Sequence, residues 1–148
     1  MLKSLLLLPL VRNWTTLKLQ GPTCHGLRLE VTGYERKGSD VALRFKLANV
    51  SNKAVIFNSI VMSPEAMRIR FLDKRHNLLH YEGDNMAEAF PDKIIRLSAG
   101  SEYKIQSRFH FRASQAPRFL VMWTAYPVDG RFPGIWSGEL HVNKSRLF

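Results

Sequence analysis

Hydrophobic residues recur at every second position along much of the chain, the period of strands that bury one face and wet the other. Val41, Leu43, Phe45 and Leu47 fall on one side, and Ala42, Arg44, Lys46 and Ala48 on the other. The same alternation sets Leu27, Leu29 and Val31 against Arg28, Glu30 and Thr32, and Met67, Ile69 and Phe71 against Arg68 and Arg70. The longest run is Tyr103–Phe111, with Tyr103, Ile105, Phe109 and Phe111 inward and Lys104, Gln106, Arg108 and His110 outward, continued by Arg112. Phe119, Val121, Trp123 and Ala125 share one face of a further apolar strand. Trp136, Leu140 and Val142 share one face of a last strand, Ile135–Val142, before a tail at Asn143–Phe148. Both strand faces are apolar, so Trp123 and Trp136 are expected in the core.

Turn-forming residues punctuate these runs. Gly21-Pro22, Gly38-Ser39-Asp40 and Asn49–Lys53 close the early strands, and Ala54–Phe57 is a short apolar strand. Asp73–Asn77 turns the chain so that Leu78–Tyr81 returns as a hairpin partner. Ser98-Ala99-Gly100-Ser101 joins a strand at Lys93–Leu97 to the Tyr103–Phe111 strand. In the acidic segment Glu82–Asp92, Met86–Ala89 has the composition of a single helical turn that Pro91 ends. Helical periodicity is otherwise lacking, and no repeat or linker divides the chain. The expectation is an all-β chain, a single Ig-like antiparallel β-sandwich of about eight strands. It spans residues 17–148, behind a hydrophobic N-terminal segment at residues 1–16.

Composition adds a strong charge bias. The 148 residues hold 22 Lys and Arg against 12 Asp and Glu, a formal net charge of +10. That balance concentrates polyanions or acidic partners near the surface and says nothing about fold. The one cysteine, Cys24, excludes an intrachain disulfide and a cysteine-based structural zinc site, so stability rests on packing. At the N-terminus, Lys3 precedes Leu5–Leu8 and Pro9, like the start of a secretory signal and far too short to span a bilayer. This favours export over a cytoplasmic location and predicts no transmembrane span. The alternative is a hydrophobic arm packed on the body. Asn13, Asn49 and Asn143 begin glycosylation-type sequons, relevant if the chain enters a eukaryotic secretory pathway.

Candidate chemistry lies on surfaces rather than in a catalytic pattern. Arg44, Lys46, Arg68, Arg70, Lys104, Arg108, His110 and Arg112 all fall on outward strand positions or strand ends. If their strands share a sheet, they form one cationic surface for a polyanion, without sequence-specific DNA readout. Arg131 and Phe132, in the Pro/Gly-rich loop at Pro127–Gly134, are a second candidate contact. The histidines lack a His-Glu-x-x-His motif, and the acidic segment lacks an EF-hand pattern. Ser137 lacks the Gly-x-Ser-x-Gly elbow, and Cys24 beside His25 is not a productive pairing on sequence adjacency alone. No enzyme activity, cofactor or metal is expected.

The order of turn and strand signals carries a resemblance. Its pieces are Leu47–Val55, Arg70–Asp73, Tyr81–Gly83, Leu97–Ser101 and Pro133–Trp136. Over about two-thirds of the chain this resembles the Ig-like domain of bacterial intracellular proteinase inhibitors and the non-catalytic portion preceding the zinc protease in deuterolysins. The resemblance implies an Ig-like frame used for binding, with a protein partner. The leading expectation is therefore a non-catalytic interaction module, of accessory, adhesion or inhibitor-like kind. The alternative is a polyanion-binding structural protein, such as a virion or envelope component, acting through its basic sheet face.

Overall fold

The computed structural model of the chain describes residues 14–63, 67–83, 93–112, 117–123 and 134–146. Strands β1 (Thr15–Gln20), β2 (Leu27–Lys37) and β3 (Asp40–Asn49) run up and down as neighbours. Short strands β4 (Val55–Asn58), β5 (Arg70–Leu72), β6 (Leu78–Leu79) and β7 (Glu82–Gly83) follow. The later strands are β8 (Ile94–Leu97), β9 (Glu102–His110), β10 (Phe119–Trp123) and β11 (His141–Arg146). They form a large sheet in the order β1-β2-β3-β9-β7, a second sheet β11-β10-β5-β6, and a small sheet β4-β8. Every pairing is antiparallel. The chain is all-β, as the alternation predicts. β7, two residues at the start of the acidic segment, carries no strand pattern in the sequence and adds to the expected count.

The core lies between the sheets. Val41, Leu43, Phe45 and Leu47 of β3 are at most 1% exposed, and Leu27, Leu29 and Val31 of β2 are fully covered. Phe71 of β5 crosses to the large sheet, edge-on to Phe109 at 5.2 Å and to Phe111 at 5.0 Å between ring centroids. Tyr81 adds a ring 4.9 Å from Phe109, and Phe57 of the small sheet meets Tyr103 at 5.5 Å. Burying each such ring contributes about 1.5–3 kcal/mol, and edge-to-face geometry adds to it. At the end of β4 a 3₁₀ turn, Ser59–Met62, tucks Val61 and Met62 into the same core. Gly21, just past β1, lets the backbone touch β11: a Cβ there would overlap the His141 carbonyl oxygen.

Four expectations need correction. The strand expected over Met67–Phe71 begins only at Arg70. The Ser98–Ser101 turn joins two strands that do not pair with each other. β8 pairs with β4, whereas β9 pairs along its length with β3, so the Ser98–Ser101 turn carries the chain from one sheet to another. Asn49 holds that crossing from below. Buried to 1% exposure, its amide donates to the carbonyls of Lys53 at 2.7 Å and Leu97 at 2.9 Å. Second, the last strand runs over His141–Arg146, so the expected tail is mostly strand, and Trp136–Leu140 precede it outside any strand. Third, Trp123 is 39% exposed, because Leu120 and Met122 are the residues of β10 that face inward. Fourth, β1 begins at Thr15, so the body starts inside the segment assigned to the N-terminal arm. Residues 1–13, the Met86–Ala89 turn, and Arg131 and Phe132 lie outside the described residues.

Candidate interaction surfaces

The outer face of the large sheet gathers most of the expected basic row. The β3–β9 register sets Lys46 opposite Lys104, Arg44 opposite Gln106, Ala42 opposite Arg108 and Asp40 opposite His110. β2 lies on the other side of β3, with Glu30 opposite Lys46. The period of two therefore places all these side chains on one surface. Arg68 and Arg70 do not join them. Arg70 belongs to β5 in the second sheet and Arg68 just precedes that strand, so the single cationic surface expected from eight residues is two separate surfaces. Arg112 lies beyond the end of β9 and is exposed.

The large-sheet face is also not purely cationic. Lys46 Nζ sits between two carboxylates, 3.1 Å from Glu30 and 3.0 Å from Glu102. Arg28 reaches Glu30 at 3.3 Å, and Lys104 approaches Glu102 at 3.8 Å. The side-chain amide of Gln20 donates to the same Glu30 carboxylate. Charges thus alternate across the strands as Arg28, Glu30, Lys46, Glu102, Lys104. Glu30 is only 3% exposed, so its cations are needed to make burial of its charge tolerable. The hydrogen bond to Glu102, followed by that to Glu30, raises the Lys46 ammonium above its ordinary value, and Lys46 in turn lowers the Glu102 carboxyl. At the far end, His110 Nδ1 lies 2.5 Å from an Asp40 carboxylate oxygen.

Beside this ladder, the Arg44 guanidinium carbon lies over the Trp14 ring, 3.7 Å from its centroid. A shallow groove of about 520 Å³ opens here, edged by Thr32, Arg44, Lys46, Glu102, Lys104 and Gln106. The glutamates went unrecognised as part of the surface because they come from β2 and from the first residue of β9. Only the strand register brings them to Lys46.

No family model matches the chain, and no curated protein matches it. Two solved structures are similar to it. A conserved hypothetical protein from Bacillus anthracis is 8% identical, with a TM-score of 0.42, over 76% of this chain and 91% of that one. The yjhA protein from Bacillus subtilis is 9% identical, with a TM-score of 0.40, over 83% of this chain and 96% of that one.

The outer face of the second sheet is different in kind. Arg70 places its guanidinium over the Trp123 ring at 4.9 Å. His76 stacks on Phe119, with centroids 4.9 Å apart and planes 15° from parallel. Val121 lies between Phe119 and Trp123 on the strand, opposite Arg70 in register.

A third place joins distant parts of sequence. The Trp136 indole N–H donates to the Cys24 carbonyl at 3.0 Å, and His25 Nδ1 lies 2.6 Å from the Ser137 carbonyl oxygen. Gly138 closes the corner at φ 155°, where a Cβ would come 2.6 Å from Cys24 Sγ. His25, in a left-handed conformation at φ 46°, is thus aimed at backbone. Among the described residues, no group of three or more His, Cys, Asp or Glu side chains stands ready for a metal ion. No helix among them is long and apolar enough to cross a membrane. The Asn49 sequon is closed to a glycan in the folded chain, because the amide is buried and both its hydrogens are donated inward.

Proposed function

We propose that the chain is a non-catalytic protein-interaction module whose contact surface is the outer face of its large sheet, centred on the groove beside Lys46. The observation that carries this reading is the alternating ladder Arg28, Glu30, Lys46, Glu102, Lys104. Side chains locked to one another on a sheet keep their geometry and lose little freedom when a partner docks. A surface of alternating sign selects a partner with the matching pattern, through specificity and encounter rate more than raw affinity. The likeness to Ig-like domains of proteinase inhibitors and of deuterolysins points the same way, an Ig-like frame used for binding.

A polyanion remains the second reading, favoured by the net charge of +10. Glu30 and Glu102 weaken it for this particular face, since they occupy the centre of the cationic row. We further propose that the N-terminal run directs export, with the mature chain starting no later than Trp14, whose ring supports Arg44.

The test is chemical crosslinking in the native source, with wild-type chain and with a double variant, Arg44→Glu and Lys104→Glu. The expected result is a partner crosslinked through Lys46 or Lys104 in the wild type and lost in the variant. A partner retained equally by both chains would overturn the assignment of the surface. Heparin retention that persists well above physiological salt and falls in the variant would favour the polyanion reading instead.

A further inference from the structure

The second sheet presents a face that the large-sheet reading does not use. Its outward residues on β10 are Phe119, Val121 and Trp123, and Trp123 keeps 39% of its surface exposed. On β6, on the far side of β5, Leu78 is 46% exposed. Phe119 and Val121 are half-buried beside Trp123, so Trp123 is the exposed end of an apolar strip, and such a strip suits a contact site. The rings are not left bare, however. Each is matched with a planar nitrogen-bearing group: Arg70 over Trp123, and His76 flat against Phe119.

The exposed charges around this strip are mostly basic. Arg68, Arg70, Lys74 and Arg75 are exposed on β5, just before it and in the turn after it. Two acids lie near. Asp73 accepts the backbone N–H groups of Arg75 at 2.8 Å and Asn77 at 2.9 Å, which holds its own turn closed. Glu139 lies 3.9 Å from His141 beyond the end of the strip. The outer face of the large sheet, by contrast, has carboxylates at its centre.

We propose that this face binds single-stranded nucleic acid, with bases stacking on the Trp123–Arg70 and Phe119–His76 pairs and phosphates drawn to the surrounding arginines and lysines. Aromatic and guanidinium planes on a basic surface suit unpaired bases, because every base has a π-face and no edge need be read. The sheet offers no helix for a duplex groove, so duplex binding through this face is weaker.

The test titrates the full chain with fluorescein-labelled oligothymidylate and oligouridylate of about 12 nucleotides, against a duplex of equal length. Anisotropy reads binding, and tryptophan quenching reads stacking. Trp123 is the most exposed of the tryptophans, while Trp136 is buried at 7%. The expected result is saturable, salt-dependent binding of single strands with quenching. Trp123→Ala weakens it by about tenfold, and Trp123→Phe restores it to within about threefold. Arg70→Gln weakens it by about fivefold. Arg44→Glu with Lys104→Glu, on the opposite face, leaves the stacking-dependent quench in place, which separates this inference from the large-sheet reading. Absence of binding would overturn it, as would an unchanged affinity in Trp123→Ala. Equal binding of duplex and single strand, or an acidic protein held through Trp123 while oligonucleotides are not, would overturn it too.

Discussion

The side-chain amide of Asn49 donates to the carbonyl oxygen of Leu97, 2.9 Å away, and so ties the end of β3 to the end of β8 in another sheet. The same amide donates to Lys53, and the Oδ1 accepts from the Ser51 N–H at 3.0 Å and hydroxyl at 2.6 Å. The Asn49 backbone continues the tie, donating to the Ser101 carbonyl at 3.0 Å and accepting from the Gly100 N–H at 3.0 Å. Replacing Asn49 with Ala would take the amide donor from the buried Leu97 carbonyl, and one donor from the Lys53 carbonyl, which keeps the Ser51 hydroxyl. A loss of about 3 kcal/mol is expected, read as a lowered urea midpoint with unchanged slope. Ser51→Ala, which removes one hydroxyl from the edge of the same cluster, should cost about 1 kcal/mol. Equal effects would show that Asn49 is not the hub.

Gly21 gives a second, purely steric prediction. A methyl group there meets the backbone carbonyl of His141, which cannot rotate out of the way as a side chain could. The β1 end and the start of β11 must then separate, and the hydrogen bond from the Gly21 N–H to the Leu29 carbonyl, 3.0 Å long, is strained with them. Gly21→Ala should destabilise the chain by about 2 kcal/mol or more. Hydrogen exchange should quicken first at β1 and β11, leaving β3 and β9 protected. Uniform loss of protection would mean that the contact is not local.

These two residues mark where the sequence was readable and where it was not. The strands themselves were legible, since β3 alternates without interruption and β9 breaks its inward apolar row only at the buried Ser107. The all-β class follows from that. The Ser98–Ser101 turn was legible as a turn, but its residues suit a hairpin and a crossing between sheets equally well. What decides is Asn49, distant in sequence. Trp123 was misplaced because β10 reads Phe-Leu-Val-Met-Trp, apolar on both faces, so alternation cannot say which side is the core. The basic surface was half legible. Outward positions were right for Arg44, Lys46, Lys104, Arg108 and His110, but sequence carries no sheet membership, so Arg68 and Arg70 were drawn into the wrong group. Glu30 and Glu102 stayed hidden for the same reason.

The ladder makes a pH prediction with a definite sign. Lys46 holds the Glu102 carboxyl below its ordinary value of 4.5, and the Asn77 N–H, chief among its donors, holds Asp73 below 3.8. A group depressed in the folded state contributes stability above its unfolded value and loses it as pH falls through the folded one. Lys46 is raised above 10.5, so its share is present below that value and is lost as pH rises through the folded one. Stability should therefore be flat between these limits and fall on either side. Both Glu102 and Lys46 have surface access, so each limb is shallow. Glu102→Gln should reduce the acid limb that remains and part of the alkaline one, while Asp73→Asn touches the acid limb alone. Urea midpoints across pH check this, and an alkaline limb that Glu102→Gln leaves intact would assign Lys46 wholly to Glu30.

The two tryptophans of the second half offer the sharpest contrast between a residue that holds the fold and one that does not. Trp136 is 7% exposed, its backbone N–H donates to the Ile56 carbonyl at 2.6 Å, and its indole N–H donates to Cys24. Truncation to Ala empties a large volume beside the small sheet and leaves the Cys24 carbonyl without that donor, costing about 3–5 kcal/mol. Trp136→Phe refills most of the space and should recover all but about 1–2 kcal/mol, the part due to the lost hydrogen bond. Trp123 is 39% exposed with the Arg70 guanidinium over it, so Trp123→Ala should cost about 1 kcal/mol, well below the Trp136→Ala loss. Thermal melts of the three variants check the order. A Trp123→Ala chain as unstable as Trp136→Ala would place Trp123 in the core after all, and with it would go the surface argued for single-stranded nucleic acid.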